Sequence, residues 1–213
     1  MKIKSKINYI LVVVFHISFF IHFFLYYFTS MNSLPFTNIY ESKAISAIGT
    51  GKIGNKPGEF NHPSKVCYDE WNDRIIVTDG WNNRIQLFNS KTFEYHSMFS
   101  SKGQQYGQFL YPYGLCIQPF TRHLLVCDSG NHRIQILDST DHYSLLYQFG
   151  NKQSSDIKGQ FGNPTDICCD EKGHILVNVT WNYIIQEFNE SGRFLSLFES
   201  FGSSLDRMPQ DML

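Results

Sequence analysis

An excess of basic charge is missing from this sequence: 18 Lys and Arg stand against 19 Asp and Glu in 213 residues, for a net charge of −1. Proteins that hold a nucleic-acid backbone need a basic face, so no nucleic acid is expected as a partner. Neither a Cys-x-x-Cys pair nor a His-Glu-x-x-His motif occurs. A zinc site would have to be assembled from scattered ligands, and the expected number of catalytic residues, metals and cofactors is none. Five cysteines are an odd number, so at least one thiol has no partner within the chain. No stretch after residue 42 keeps a helical period, which argues against a bundle. The only glycine fingerprint, from Gly49 to Gly54, is followed by Pro57 and Gly58 where a helix should open, so it reads as a loop and not as a phosphate cradle.

What is present is repetition. Gly58-Glu59-Phe60-Asn61-His62-Pro63 returns as Gly107-Gln108-Phe109-Leu110-Tyr111-Pro112 and again as Gly159-Gln160-Phe161-Gly162-Asn163-Pro164, a period of about fifty residues. Four residues past each proline stands a cysteine: Cys67, Cys116 and Cys168. Short apolar runs bounded by Gly, Pro, Asn or Asp predict four strands per unit. These fall at 65–68, 74–78, 84–89 and 95–99, then at 115–118, 123–128, 133–138 and 145–149, and finally at 166–169, 174–177, 184–189 and 193–198. Small four-stranded sheets repeated at this period stack as propeller blades, because each buries its faces against its neighbours.

The second strand of each unit leads into a second motif. It reads Asp79-Gly80-Trp81-Asn82-Asn83-Arg84-Ile85-Gln86 in the first copy and Asp128-Ser129-Gly130-Asn131-His132-Arg133-Ile134-Gln135 in the second. The third copy has Val179 for Asp and Ile184 for Arg, and keeps only Asn182 and Gln186. Together with the Gly-x-Phe-x-x-Pro turn this pattern resembles the NHL repeat, over residues 58–202. That resemblance implies a recognition platform, one often appended to a ubiquitin-ligase, kinase or membrane module. No RING-like Cys/His array accompanies it here. Among proteins with similar repeats the peptidylglycine amidating lyases bind metal through propeller histidines, and no residue here matches theirs.

Asp79 with Arg84, and Asp128 with Arg133, are expected to brace the turn between the second and third strands, with Asn82 and Asn131 beside them. The carboxylate would accept N–H groups from the next two residues. An exposed pair contributes about 0–1 kcal/mol, whereas breaking a buried one costs about 3–5 kcal/mol. Repetition favours bracing over catalysis, since a catalytic group is needed once and a brace in every blade. The same loop face carries His62, Trp81, Asn83, Tyr111, His132, Trp181 and Tyr183, and aromatic residues there suit a protein or peptide ligand. The alternative for Trp81 and Trp181 is packing between blades.

Ile7 to Phe28 contains no Asp, Glu, Lys or Arg over 22 residues. As a helix it would be about 33 Å long, enough to cross a bilayer. Lys2, Lys4 and Lys6 precede it and no basic residue follows before Lys43, which places the repeats on the luminal or extracellular side. The expected organisation is a signal anchor at 1–30, a linker at 31–42, blades at 43–202 and a tail at 203–213. A long cleaved signal is the alternative for the first segment. Asn189-Glu190-Ser191 is a glycosylation candidate in a turn, while Asn178-Val179-Thr180 lies at a strand end and is expected to be inaccessible. The repeated cysteines read as small core residues, with a Cys116–Cys127 disulfide across one hairpin as the alternative.

Propellers close with about four to eight blades, and this chain supplies three, plus a strand at 43–48 that aligns with the fourth strand of a unit. Two chains joined head to tail as a homodimer would complete six blades. An open arc docked on a partner, or a shortened version of a longer product, are the other solutions.

Overall fold

The computed structural model describes residues 47–150, 158–180 and 183–199. The chain divides into two compact units, Met1–Ala47 and Ile48–Leu213, and the twelve strands found among the described residues belong to the second. The apolar run 7–28 lies outside the described residues, as do the linker, the tail, Trp181, Asn182 and most of the strand expected at 43–48. Among the described residues no helix is long and apolar enough to cross a membrane.

The strands make three sheets of four, each antiparallel and in chain order. Blade 1 is β1 (Pro63–Asp69), β2 (Arg74–Asp79), β3 (Arg84–Asn89) and β4 (Tyr95–Phe99). Blade 2 is β5 (Pro112–Ile117), β6 (Leu124–Asp128), β7 (Arg133–Asp138) and β8 (Ser144–Gly150). Blade 3 is β9 (Pro164–Cys169), β10 (Ile175–Val179), β11 (Ile184–Phe188) and β12 (Phe194–Glu199). The four strands expected in each of the three units are found, with one systematic difference. Each first strand begins two or three residues early, at the proline, and its register shifts within the next three residues. Proline reads as a strand breaker in sequence, but at the first residue of an edge strand no ladder N–H is required of it.

Alternate residues of each strand face the preceding blade or the following one. Ile76, Ile85 and Leu87 of blade 1 bury against Leu115, Leu124 and Val126 of blade 2. Leu125, Cys127, Ile134 and Ile136 of blade 2 bury against Ile167, Ile175, Val177 and Val179 of blade 3. The Gly-x-Phe-x-x-Pro motif contributes a wedge to each junction, since Phe109 and Phe161 are both fully buried there. Phe60, the equivalent residue ahead of blade 1, is half-buried against Ile75, Val77 and Phe88. Full burial of one such ring stabilises by about 1.5–3 kcal/mol.

The far face of blade 3 has no following blade among the described residues. Ile185 and Phe198, at the positions of Ile85 and Phe99, are 43% and 53% exposed. Cys168, expected as a core residue like Cys67 and Cys116, is exposed for the same reason. Glu187 occupies the place of Leu87 and Ile136, and Asn178 the place of Thr78 and Cys127, so this face is more polar than either blade junction.

Candidate functional site: the loop rim

The repeat motif works as a clamp between each blade and its lead-in loop. Asp79 Oδ2 accepts from Arg84 Nε at 2.7 Å, Asn82 Nδ2 at 2.9 Å and Gln86 Nε2 at 3.0 Å. Arg84 then donates its remaining N–H groups to the carbonyls of Asn55, Lys56 and Glu59 and to Met98 Sδ. Blade 2 repeats the arrangement, with Asp128 bound to Arg133, Asn131 and Gln135, and Arg133 donating to the carbonyls of Gln104, Gln105 and Gln108. Burial pushes the Asp128 carboxyl up, against the pull of the Leu110 N–H, Asn131 and Arg133.

One detail differs from expectation. The second carboxylate oxygen accepts from the backbone N–H of Asn61, 18 residues upstream, at 2.7 Å, and in blade 2 from that of Leu110 at the same distance. It does not cap the next two residues, because Gly80 N and Trp81 N already donate to the carbonyls of His62 and Asn61. The repeated chemistry of the motif therefore ties the loop ahead of the blade to the turn inside it.

In blade 3 only part of the clamp remains. Gly159 N still donates to Gln186 Oε1 at 2.8 Å and Gln186 Nε2 still reaches the Gln160 carbonyl. Val179 and Ile184, in place of Asp and Arg, bring no charge there. Val179 is instead fully buried against blade 2.

The rim residues sit at two repeated left-handed positions. His62, Tyr111 and Asn163 precede the three prolines with φ of 59°, 51° and 91°, and Asn83, His132 and Tyr183 close the inner turns with φ of 55°, 55° and 56°. Of these, Tyr111 and Tyr183 are 47% and 74% exposed, and Trp81, inside the first inner turn, is 59% exposed. His62 stacks flat on Trp81, with ring centroids 4.9 Å apart and planes 5° from parallel. Trp81 thus lies on the rim and not between blades.

Asn83 was grouped with these residues from sequence, and the structure moves it elsewhere. It is 6% exposed, its carbonyl accepts the Tyr111 N–H at 3.0 Å and its amide donates to the Trp81 carbonyl at 3.0 Å. It fastens blade 1 to blade 2 and is not free for a ligand. His132, its equivalent, is half-buried, and its Nδ1 has no hydrogen-bond partner.

A groove not evident in the sequence runs along the first strands, lined by Lys65, Cys67, Leu115, Cys116, Ile167 and Cys168. Lys65 and Asp166 hold the same position in β1 and β9, and Lys65 Nζ crosses to Asp166 Oδ1 at 2.8 Å. Gly114 of β5 lies between them, and a Cβ there would come within 2.7 Å of Asp166 Cα. Glycine is needed for this approach, a reason visible only once the blades are stacked. Among the described residues no group of three or more His, Cys, Asp or Glu side chains could hold a metal ion.

Of the two sequons, Asn178 is exposed, contrary to expectation, because its side of β10 is uncovered. The side-chain Oδ1 of Asn189 accepts from Ser191 N, Ser191 Oγ and Arg193 N.

Three four-stranded antiparallel sheets stacked through their faces define a protein built of propeller blades. Residues 60–88 match the family model of the NHL repeat, and the chain carries an NHL repeat in its first blade. The same fold recurs in a putative exported protein of Bacteroides fragilis, at 13% identity and a TM-score of 0.54, over 74% of this chain and 42% of that one. Hydrazine synthase of Kuenenia stuttgartiensis is similar at 11% identity and a TM-score of 0.51, over 73% and 39%. A catalytically inactive virginiamycin B lyase of Staphylococcus aureus aligns at 16% identity and a TM-score of 0.49, over 71% and 43%. The chain thus spans about two fifths of the length of these structures. No curated protein sequence matches it.

Proposed function

We propose that this protein is a non-catalytic binding scaffold, anchored in a membrane through residues 7–28, that takes a protein or peptide on the rim formed by His62, Trp81, Tyr111 and Tyr183. The observation that carries this reading is the exposure of Trp81, 59%, in a place where a histidine ring already holds it flat. A pre-ordered aromatic surface loses little entropy on binding and suits an apolar or proline-bearing segment. His132 belongs to the same rim by its repeat position, while Trp181, expected there from the repeat, lies outside the described residues.

The reading is tested by panning a displayed random-peptide library on the full chain in detergent. Selected peptides are expected to lose at least tenfold in affinity for a Trp81→Ala, Tyr111→Ala variant of unchanged circular dichroism. Binding that survives both substitutions would place the ligand elsewhere, the Lys65–Asp166 groove being the next surface to probe. The rival, a propeller enzyme of amidating-lyase type, predicts stoichiometric metal on elemental analysis of the purified chain.

A head-to-tail homodimer is a second reading, favoured by the exposed Ile185 and Phe198. It would bring blade 1 of one copy against blade 3 of the other, with Glu187 needing a polar partner across the junction. Light scattering on the full chain in detergent, corrected for bound detergent, distinguishes a dimer from a monomer.

A further inference from the structure

The thiols of Cys116 in β5 and Cys169 in β9 lie 3.5 Å apart. They come from different blades. Cys116 looks out of blade 2 towards blade 3, Cys169 looks back, and both pack against the same inter-blade core. At the junction of blades 1 and 2 the corresponding residues are Cys67 and Ile117, so the thiol pair has no counterpart there. It occurs at the one described junction whose following blade lacks the Asp–Arg clamp, since Val179 and Ile184 replace those residues. The backbones of β5 and β9 are already close, as the approach of Asp166 to Gly114 shows.

We propose that Cys116 and Cys169 form a disulfide that joins blades 2 and 3 covalently. A disulfide needs its two Cα atoms within about 7 Å and its side chains converging, and thiols 3.5 Å apart on facing strands of neighbouring blades meet the second condition. The link adds a covalent tie between the first strands of blades 2 and 3, beside a blade whose own lead-in loop lacks the arginine clamp. The hydrogen bond between the thiols holds Cys169 below its ordinary value and Cys116 well above it, so Cys169 ionises first.

The oxidant is a small disulfide such as oxidised glutathione. Cys169 thiolate attacks one of its sulfurs, the S–S bond breaks and one glutathione thiolate leaves. Cys116 gives its proton to that thiolate and attacks the Cys169 sulfur, which breaks the mixed disulfide and releases the second glutathione. Two protein thiols lose two electrons and two protons, and one glutathione disulfide becomes two glutathiones.

The test is mass spectrometry of the full chain in detergent, equilibrated with oxidised glutathione, blocked with N-ethylmaleimide and digested. One cross-linked peptide pair containing Cys116 and Cys169 is expected, two hydrogens lighter than the sum of its parts, with the other three of the five cysteines alkylated. A Cys127→Ala variant should keep the link and a Cys169→Ser variant should lose it. Reduction should lower the thermal midpoint of the wild-type chain by several degrees and leave that of Cys169→Ser unchanged. Five alkylated cysteines after equilibration, or a link from Cys116 to Cys127, overturns the proposal. Mapping of the wild-type chain decides the matter even if a variant does not fold.

Discussion

Arg133 Nε donates to Asp128 Oδ2 over 2.7 Å with the two side chains 2% and 0% exposed, and the rest of the guanidinium donates to three carbonyls of the loop that precedes the blade and to Gln148 Oε1 of β8. Removing either partner leaves a charge without water or counter-charge. Arg133→Met is expected to destabilise the chain by about 3–5 kcal/mol in urea unfolding. In combination with Asp128→Leu the loss should fall short of the sum of the two single losses by about 1–3 kcal/mol. Strict additivity would mean that the ion pair is not the unit that matters.

Phe161 offers a second test, since it fills the junction of blades 2 and 3 with rings of Phe149 and Phe188 5.9 and 5.5 Å away. Truncation to alanine opens a cavity no neighbour can close, at an expected cost of about 3–5 kcal/mol. Phe60→Ala, on the half-buried face ahead of blade 1, should cost measurably less in the same assay. Equal costs would mean that Phe60 is as completely covered as its two equivalents.

Gly114→Ala is expected to destabilise although only one methyl group is added. Its Cβ would sit 2.7 Å from Asp166 Cα and 2.9 Å from the Thr165 carbonyl, and both obstacles are backbone. Forcing β5 from β9 should cost about 1–3 kcal/mol. Because those strands carry Cys116 and Cys169, the same substitution should slow formation of their cross-link, which timed maleimide quenching reads directly.

The reduced thiols should separate by pH. Alkylation requires the thiolate, so a thiol held low reacts at lower pH. Cys169 is lowered by its hydrogen bond from Cys116, whereas burial raises Cys168 and pushes Cys67 up to about 12. Labelling by iodoacetamide, resolved by peptide mapping, should therefore rise for Cys169 at lower pH than for Cys168, even though Cys168 is the more exposed. The opposite order would show that Cys116 does not donate to Cys169.

The strands were legible because each is a short apolar run closed by turn residues, and the pairing of Asp79 with Arg84 and Asp128 with Arg133 because it repeats. Their partners were not. The bond from Asn61 N to Asp79 spans 18 residues, and no local rule points a carboxylate backwards across a strand. Asn83 looked like a rim residue from its place in a turn, and became a fastener only when the loop of the next blade arrived within 3.0 Å. The choice between Cys127 and Cys169 as neighbour of Cys116 was invisible for the same reason, since the nearer thiol is 53 residues away in a different sheet.

By itself the sequence determined the local order of this protein: four strands to a unit, three units, and a repeated carboxylate and guanidinium, all set by hydrophobic period and turn chemistry acting over a few residues. The stacking of blades decided the rest. It made Phe109 and Phe161 core and left Phe60 half-covered, buried Cys127 while exposing Cys168, and required a glycine at residue 114. Equivalent residues in equivalent strands differ in fate because burial depends on what packs against a face, and that is a property of the neighbouring sheet.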